Sequence, residues 1–436
     1  MMLNHACILR VSLLQCSGRK FMKLKSSSML AMMLVALGIP ARAQIYDTNN
    51  EVVETFAGSG FSGDLNGVGQ LTMFNNPNAI VSDSHSNIFF VDSGNNKIKE
   101  ITPKGMVSTF AGGGSNAQGT GTNVSFTSWG IGGLTIDPSD TLWAFPSEYY
   151  PWLYKITSDA AVTYTNFSSL GRIITGVCAD SVGNIYFSSG NQIYRYATNG
   201  GLSVFAGSGN SGAQDGNGIF SSFTSPAALT CDSAHNIYVW DSGNYLVRRI
   251  DQSQNVTTIA GYYGSPFANV DGVGTNASFF RTGISAMCAD NSGNIYFACG
   301  SCIRKMDATT NVMTVAGSFT QTGYNNGAGN VALFNGADGV CISGGAIFVA
   351  DSGNQRIRQI TFNPEPQVVS SANLGIGTFA GITITGIVGR TYEIQSSFDM
   401  ITWTTRATVL LTSSPYLWID QNPIAGNKFY QALLLP

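Results

Sequence analysis

A chain of 436 residues with 51 glycines and only 11% charged residues is too apolar and too rich in turn formers to be disordered. Its 22 basic and 25 acidic residues leave a net charge of -3 and no basic stripe, which argues against nucleic acid as a partner. Phe, Tyr and Trp together reach 11%, which suits a turn-rich all-β protein.

The N-terminus reads as a secretory signal. Lys23 and Lys25 form a charged start, and residues 29–39 form an apolar run too short to span a bilayer comfortably. Ala41-Arg42-Ala43 is a small-residue cleavage site, so the mature chain is expected to begin at Gln44, with Met22 as the true start. No later run is long enough for a transmembrane helix. The expected location is secreted, periplasmic or on the exterior of the cell envelope, with no integral membrane segment after cleavage.

From residue 52 three phrases recur. The first is NIFFVDSGNNKIKEI (87–101), NIYVWDSGNYLVRRI (236–250) and AIFVADSGNQRIRQI (346–360), with worn copies at 141–156, 184–196 and 294–306. Each reads as a hairpin, strand residues flanking a DSGN turn in which Gly accepts positive φ and Asp or Asn bonds the backbone. The second is VETFAG (53–58), VSTFAG (107–112), LSVFAG (202–207), VTTIAG (256–261) and VMTVAG (312–317), with VTYTNF (162–167) as a sixth. The third is a column of small residues, Ala79, Gly133, Gly176, Ala228, Ala286 and Gly339, suited to an innermost strand crowded at a central axis. Each unit therefore holds an inner strand, a hairpin and an outer strand. Six four-stranded units predict a six-bladed β-propeller, which leaves only short edges. The last unit lacks its own outer strand, so residues 52–58 are expected to complete it and close the ring.

These phrases resemble the NHL-repeat family over residues 52–361, with blades two and three departing most. The resemblance implies an NHL-type propeller, a fold often used as an interaction platform and shared by peptidyl-amidating lyases, gluconolactonase-like and strictosidine-synthase-like enzymes. Residues 362–371 read as a linker, and 372–436 as a small β-sandwich-like module. The tail resembles a C-terminal module common in exported proteins of Verrucomicrobia-like bacteria and implies no activity.

Strand parity places the hairpin turns and the long outer-to-inner loops on one face, where a ligand is expected. Five of those loops carry an Asp/Asn/Gln-Gly-x-Gly-x4-Phe phrase, from Asn66, Gln118, Asp215, Asp271 and Asn326 to Phe74, Phe126, Phe223, Phe279 and Phe334. No helix follows, so the glycines read as turns and the Phe as a plug, not as a phosphate cradle. Asp92, Asp241 and Asp351 open DSGN turns, while Lys99, Arg248, Arg304 and Arg358 share one strand column. Features copied from blade to blade serve the repeat, so these read as turn and inter-blade hydrogen bonds.

Blade two replaces DSGN by a segment running from Trp143 to Trp152. The aromatics Trp129, Trp143, Tyr149, Tyr150, Trp152, Tyr262 and Tyr263, with Glu148, are candidate ligand-binding residues for a glycan, peptide or protein; the competing reading is that the rings pack on one another. Cys178, Cys231, Cys288 and Cys341 behave as small buried apolar residues. Cys299 and Cys302 flank a hairpin turn, where an oxidising compartment favours a disulfide. After cleavage only His85 and His235 remain, both in turns of the opposite face, which weighs against Ser-His-Asp chemistry and a multi-His zinc site. No cofactor and no metal site is expected. The function expected is a non-catalytic binding or scaffold protein. The alternatives are a metal-dependent lactonase- or lyase-like enzyme, with Asn78 and Asp338 at the channel, and a structural envelope or matrix component.

Overall fold

The computed structural model of the protein describes residues 47, 51–126, 130–147, 151–264, 268–279, 283–362, 381–384, 388–397, 401–412, 416–419 and 429–435. Strand-forming residues interrupted by turn formers give an all-β chain, with no α-helix among the described residues. Between Glu51 and Phe362 these residues build six antiparallel sheets. Blade four is representative: inner strand Pro226–Cys231, hairpin Ile237–Asp241 and Leu246–Ile250, outer strand Asn255–Gly261.

The inner strands Pro77–Ser82, Gly133–Ile136, Ile174–Ala179, Pro226–Cys231, Ala286–Ala289 and Ala337–Ser343 each touch the next, and the last touches the first. The small-residue column is a consequence of that crowding. A Cβ placed on Gly176 would lie 1.8 Å from the Ala227 carbonyl oxygen, and one on Gly339 2.8 Å from that of Asn78.

Closure follows the expected route. Glu51–Ala57 pairs antiparallel with Arg356–Phe362, placing Val53 opposite Ile360 and Thr55 opposite Arg358. Val53 and Ala57 are wholly buried in the apolar layers on either side of that sheet.

One expectation needs correction. Five of the six blades have five strands, not four. The fifth is a two-residue cap drawn from the long loop entering each blade: Gly67–Val68, Gly119–Thr120, Gly216–Asn217, Gly272–Val273 and Gly327–Ala328. Each cap adds antiparallel to the outer strand of the blade its loop enters. The Gly-x-Gly phrases read as turns are thus short strands that cover the outer edge, where unpaired N–H and C=O groups would otherwise face water.

The C-terminal residues form a separate compact unit. Thr391–Ser397 lies between Thr404–Leu410 and Phe429–Leu434, and Gly381–Ile384 pairs with Tyr416–Ile419, all antiparallel. Ile384, Tyr392, Ile394 and Leu411 are its buried core.

Candidate ligand-binding surface

Most of the long loop is tied down. In blade four Asp241 accepts from the Thr224 amide at 2.7 Å and from Asn244 Nδ2 at 2.7 Å, and Asn244 donates onward to the Gly212 carbonyl at 2.8 Å. Blades one and six repeat this with Asp92, Asn95 and the Asn75 amide, and with Asp351, Asn354 and the Asn335 amide. The DSGN turn therefore clamps the loop just after its Phe, which confirms that hairpin turns and long loops share a face.

The strand column completes the clamp. Arg248 binds Asp241 at 2.9 Å and Asp215 at 2.7 Å, and its guanidinium lies over Phe223 at 5.2 Å. Arg304 binds Asp271 at 2.8 Å and lies over Phe279; Arg358 binds Asp351 at 2.7 Å and Asn326 at 2.7 Å and lies over Phe334. Lys99 reaches Asp64 at 2.7 Å and Asn66 at 2.9 Å. All four cations and all five Phe plugs are fully buried, so this column locks loops and offers nothing to a ligand. In blade two Tyr154 takes the cation's position and meets Phe126 edge-on at 5.4 Å. Burial pushes the Asp92 carboxyl up to about 6 and raises those of Asp241 and Asp351, against the hydrogen bonds they accept.

The inner strands enclose a central cavity of about 440 Å³. The residues starting those strands put Asn78, Thr175, Ser285 and Asp338 at its long-loop end. Thr175 donates to the Pro226 carbonyl at 2.7 Å, Ser285 to that of Ala337 at 3.2 Å, and Ser352 to the Asp338 carboxylate. The Asn78 side-chain oxygen is buried with no hydrogen-bond partner among the described residues. Further in, the wall includes Cys178, Cys231, Cys288 and Cys341. Among the described residues no three His, Cys, Asp or Glu side chains converge as metal ligands.

The aromatic candidates separate. Trp143 is buried, donates from Nε1 to Asp137 at 2.9 Å and meets Tyr196 edge-on, so it packs in the blade instead of facing a ligand. Its place is set by the repeat: Tyr186, Tyr238 and Tyr296 bond Asp180, Asp232 and Asp290 at the same six-residue spacing. In the sequence that spacing is hidden by the irregular segment beside it. Trp152 is half-buried and stacks on Tyr164 with centroids 4.8 Å apart. Trp129, Glu148, Tyr149 and Tyr150 lie outside the described residues. Tyr262 and Tyr263 are 58% and 66% exposed and line a groove of about 800 Å³ with Leu246, Thr258, Thr275 and Asn276.

The disulfide expected between Cys299 and Cys302 is not formed; both are free thiols. The two-residue turn is held by its backbone instead. The Cys299 amide donates to the Cys302 carbonyl at 2.9 Å, and Gly300 bridges to Ala337 of the next inner strand. Both thiols are buried, and the hydrogen bond that Cys302 makes to Cys299, together with burial, raises the Cys302 thiol well above its ordinary value. Thiolate is the reactive form. Iodoacetamide is therefore expected to spare Cys299, Cys302, Cys178 and Cys341, all buried, in the native protein and to label all four after unfolding without reductant. If Cys299 and Cys302 stay unlabelled after unfolding, they are bridged.

Residues 334–360 match the NHL repeat. No curated protein matches the chain in sequence. Among solved structures, the chain is similar to a Bacteroides thetaiotaomicron protein of unknown function, at TM-score 0.57 and 19% identity over 71% of this chain and 76% of that one. It is also similar to two proteins described as auxiliary nutrient binding proteins. One is from Bacteroides ovatus, at TM-score 0.55 and 16% identity over 72% and 76% of the two chains. The other is from Bacteroides thetaiotaomicron, at TM-score 0.54 and 20% identity over 72% and 77%.

Proposed function

We propose that this NHL-repeat β-propeller is an exported, non-catalytic binding protein that holds a neutral glycan or peptide against Tyr262 and Tyr263 on the long-loop face. The observation that carries the reading is this pair of adjacent exposed rings beside a groove of about 800 Å³ with no charged side chain among the described residues that line it. Aromatic faces take the apolar side of a sugar ring or a proline, while Thr258, Thr275 and Asn276 supply neutral donors and acceptors. The nutrient-binding description of two proteins of similar fold agrees with a binding role. The signal-like N-terminus supports a place outside the cytoplasm. The alternative, a lactonase-like enzyme, is motivated by the buried Asn78 oxygen, without a partner among the described residues, in the same cavity as Asp338, and would depend on Asp338 and not on the tyrosines.

The test is calorimetric titration of neutral oligosaccharides and proline-rich peptides against the wild type and a Tyr262→Ala, Tyr263→Ala double variant. Loss of two central rings is expected to cost about 2 kcal/mol, roughly thirtyfold in affinity. The unfolding midpoint should not move, because both side chains are exposed. A ligand bound equally by both proteins removes the groove from consideration.

A further inference from the structure

Blade three alone lacks a cap among the six sheets of the described residues. Its entering segment, residues 167–173, makes a single turn and carries no Gly-x-Gly. In the capped blades the residue that heads the recurring outer-strand phrase is sealed: Val53, Val107, Val162, Val256 and Val312 are at most 2% exposed. The equivalent Leu202 is 36% exposed. Its backbone is turned out as well. The Ala197 amide donates to the Gly201 carbonyl at 2.8 Å and Tyr196 pairs with Leu202, so ladder alternation directs the N–H and C=O of Leu202 away from the sheet. Residues 201–206 hold no charge and no proline, the usual guards of a bare edge.

The five caps show what chemistry fits this edge. Each is an extended Gly-x pair followed by a second glycine whose amide donates to the carbonyl two residues before the valine that heads the outer-strand phrase. Gly69 donates to Gly105, Gly121 to Ala160, Gly218 to Gln254 and Gly274 to Thr310, at 2.8 to 2.9 Å, and Gly329 donates to Glu51 of the closing strand at 2.9 Å. In four of them this glycine sits at φ +53° to +57°, a region L side chains rarely adopt. Blade three offers the matching acceptor in Gly200, which precedes its outer strand in the same left-handed turn position as Gly105.

We propose that the outer strand of blade three, Leu202–Ala206, receives an extended Gly-x-Gly segment of a partner polypeptide as its fifth strand. A second copy of this chain would present the same bare edge. Two five-residue edges meeting would bury far less than the roughly 1,000 Å² of a stable interface, whereas an extended segment needs only the strip itself.

The experiment titrates the full-length protein into a fluorescein-labelled peptide copying residues 269–277. Saturable binding is expected, at least tenfold weaker to Leu202→Pro, which removes the outward amide, and weaker to Leu202→Lys, which retains the backbone but charges the edge. A peptide with proline at the positions of Gly272 and Gly274 should not bind, and the Tyr262→Ala, Tyr263→Ala variant should bind as the wild type does. Should Leu202→Pro fail to fold, Leu202→Lys decides. Equal affinity for wild type and edge variants, or no saturable binding at millimolar protein, overturns the proposal. So does a wild-type dimer that Leu202→Lys disperses, which would give the edge to a second copy.

Discussion

Removal of residues 51–57 should leave a protein that no longer unfolds as one cooperative unit and is recovered mainly in the insoluble fraction. This segment is the outer strand of blade six although it precedes blade one in the chain, and it pairs with Arg356–Phe362 along its length. Without it Ile357 and Ile360, wholly buried in the intact sheet, lie beneath an open edge, and the cap Gly327–Ala328 loses its partner strand. Burying one valine such as Val53 is worth about 1.5–3 kcal/mol, and a domain's net stability is only about 5–15 kcal/mol, so losing a whole strand consumes much of it. The exposed edge then pairs with other molecules instead of with itself. Soluble yield, size-exclusion profile and thermal unfolding compare this variant with one lacking only residues 1–46. If the shorter protein stays monomeric and melts in one sharp transition, the closing strand is not what holds the ring.

Much of this architecture was legible because a propeller writes the same physical requirement six times. The small column at Ala79, Gly133, Gly176, Ala228, Ala286 and Gly339 reports the inner strand, since only small residues tolerate the neighbouring backbone. The surplus outer-strand phrase before blade one foretold closure. The five Gly-x-Gly loops foretold five of something, yet a two-residue strand has no periodicity to read, so the caps passed for turns. The loop lock was half visible. Asp241 and Arg248 stood out as repeat features, but that Arg248 reaches back 33 residues to Asp215 depends on where the loop travels, which local pattern does not encode. At the candidate site the exposed Tyr262 and Tyr263 were named from the sequence, and Trp143 takes the competing packing reading, its register set by the repeat and hidden by the adjoining insertion. The oxidation state of Cys299 and Cys302 depends on sulfur geometry, which a Cys-x-x-Cys spacing leaves open.

The second large effect concerns the loop lock, and it carries a pH signature. Arg248→Ala should destabilise the protein by about 3–5 kcal/mol at pH 7, because it leaves Asp241 buried without its cation and removes the ion pair that ties Asp215 to the sheet. Lost packing over Phe223 contributes to the same sum. Arg248→Lys should cost only about 1 kcal/mol, since blade one already uses Lys99 here and still reaches Asp64 and Asn66, with Asp92 3.9 Å away. The sign of the pH dependence follows from Asp241. Burial already raises its folded carboxyl above the unfolded value of about 3.9, and Arg248 is one of the groups opposing that rise. Removing the arginine pushes the folded value higher still, so the variant takes up a proton on folding at a pH where the wild type does not. Its stability deficit is then fully present at pH 7 and shrinks as the pH falls through the raised value, because the neutral acid needs no cation. Urea unfolding of wild type, Arg248→Ala and Arg248→Lys at pH 7 and pH 5 measures this directly. A deficit of equal size at both pH values would mean that Arg248 acts by filling space and not by neutralising Asp241.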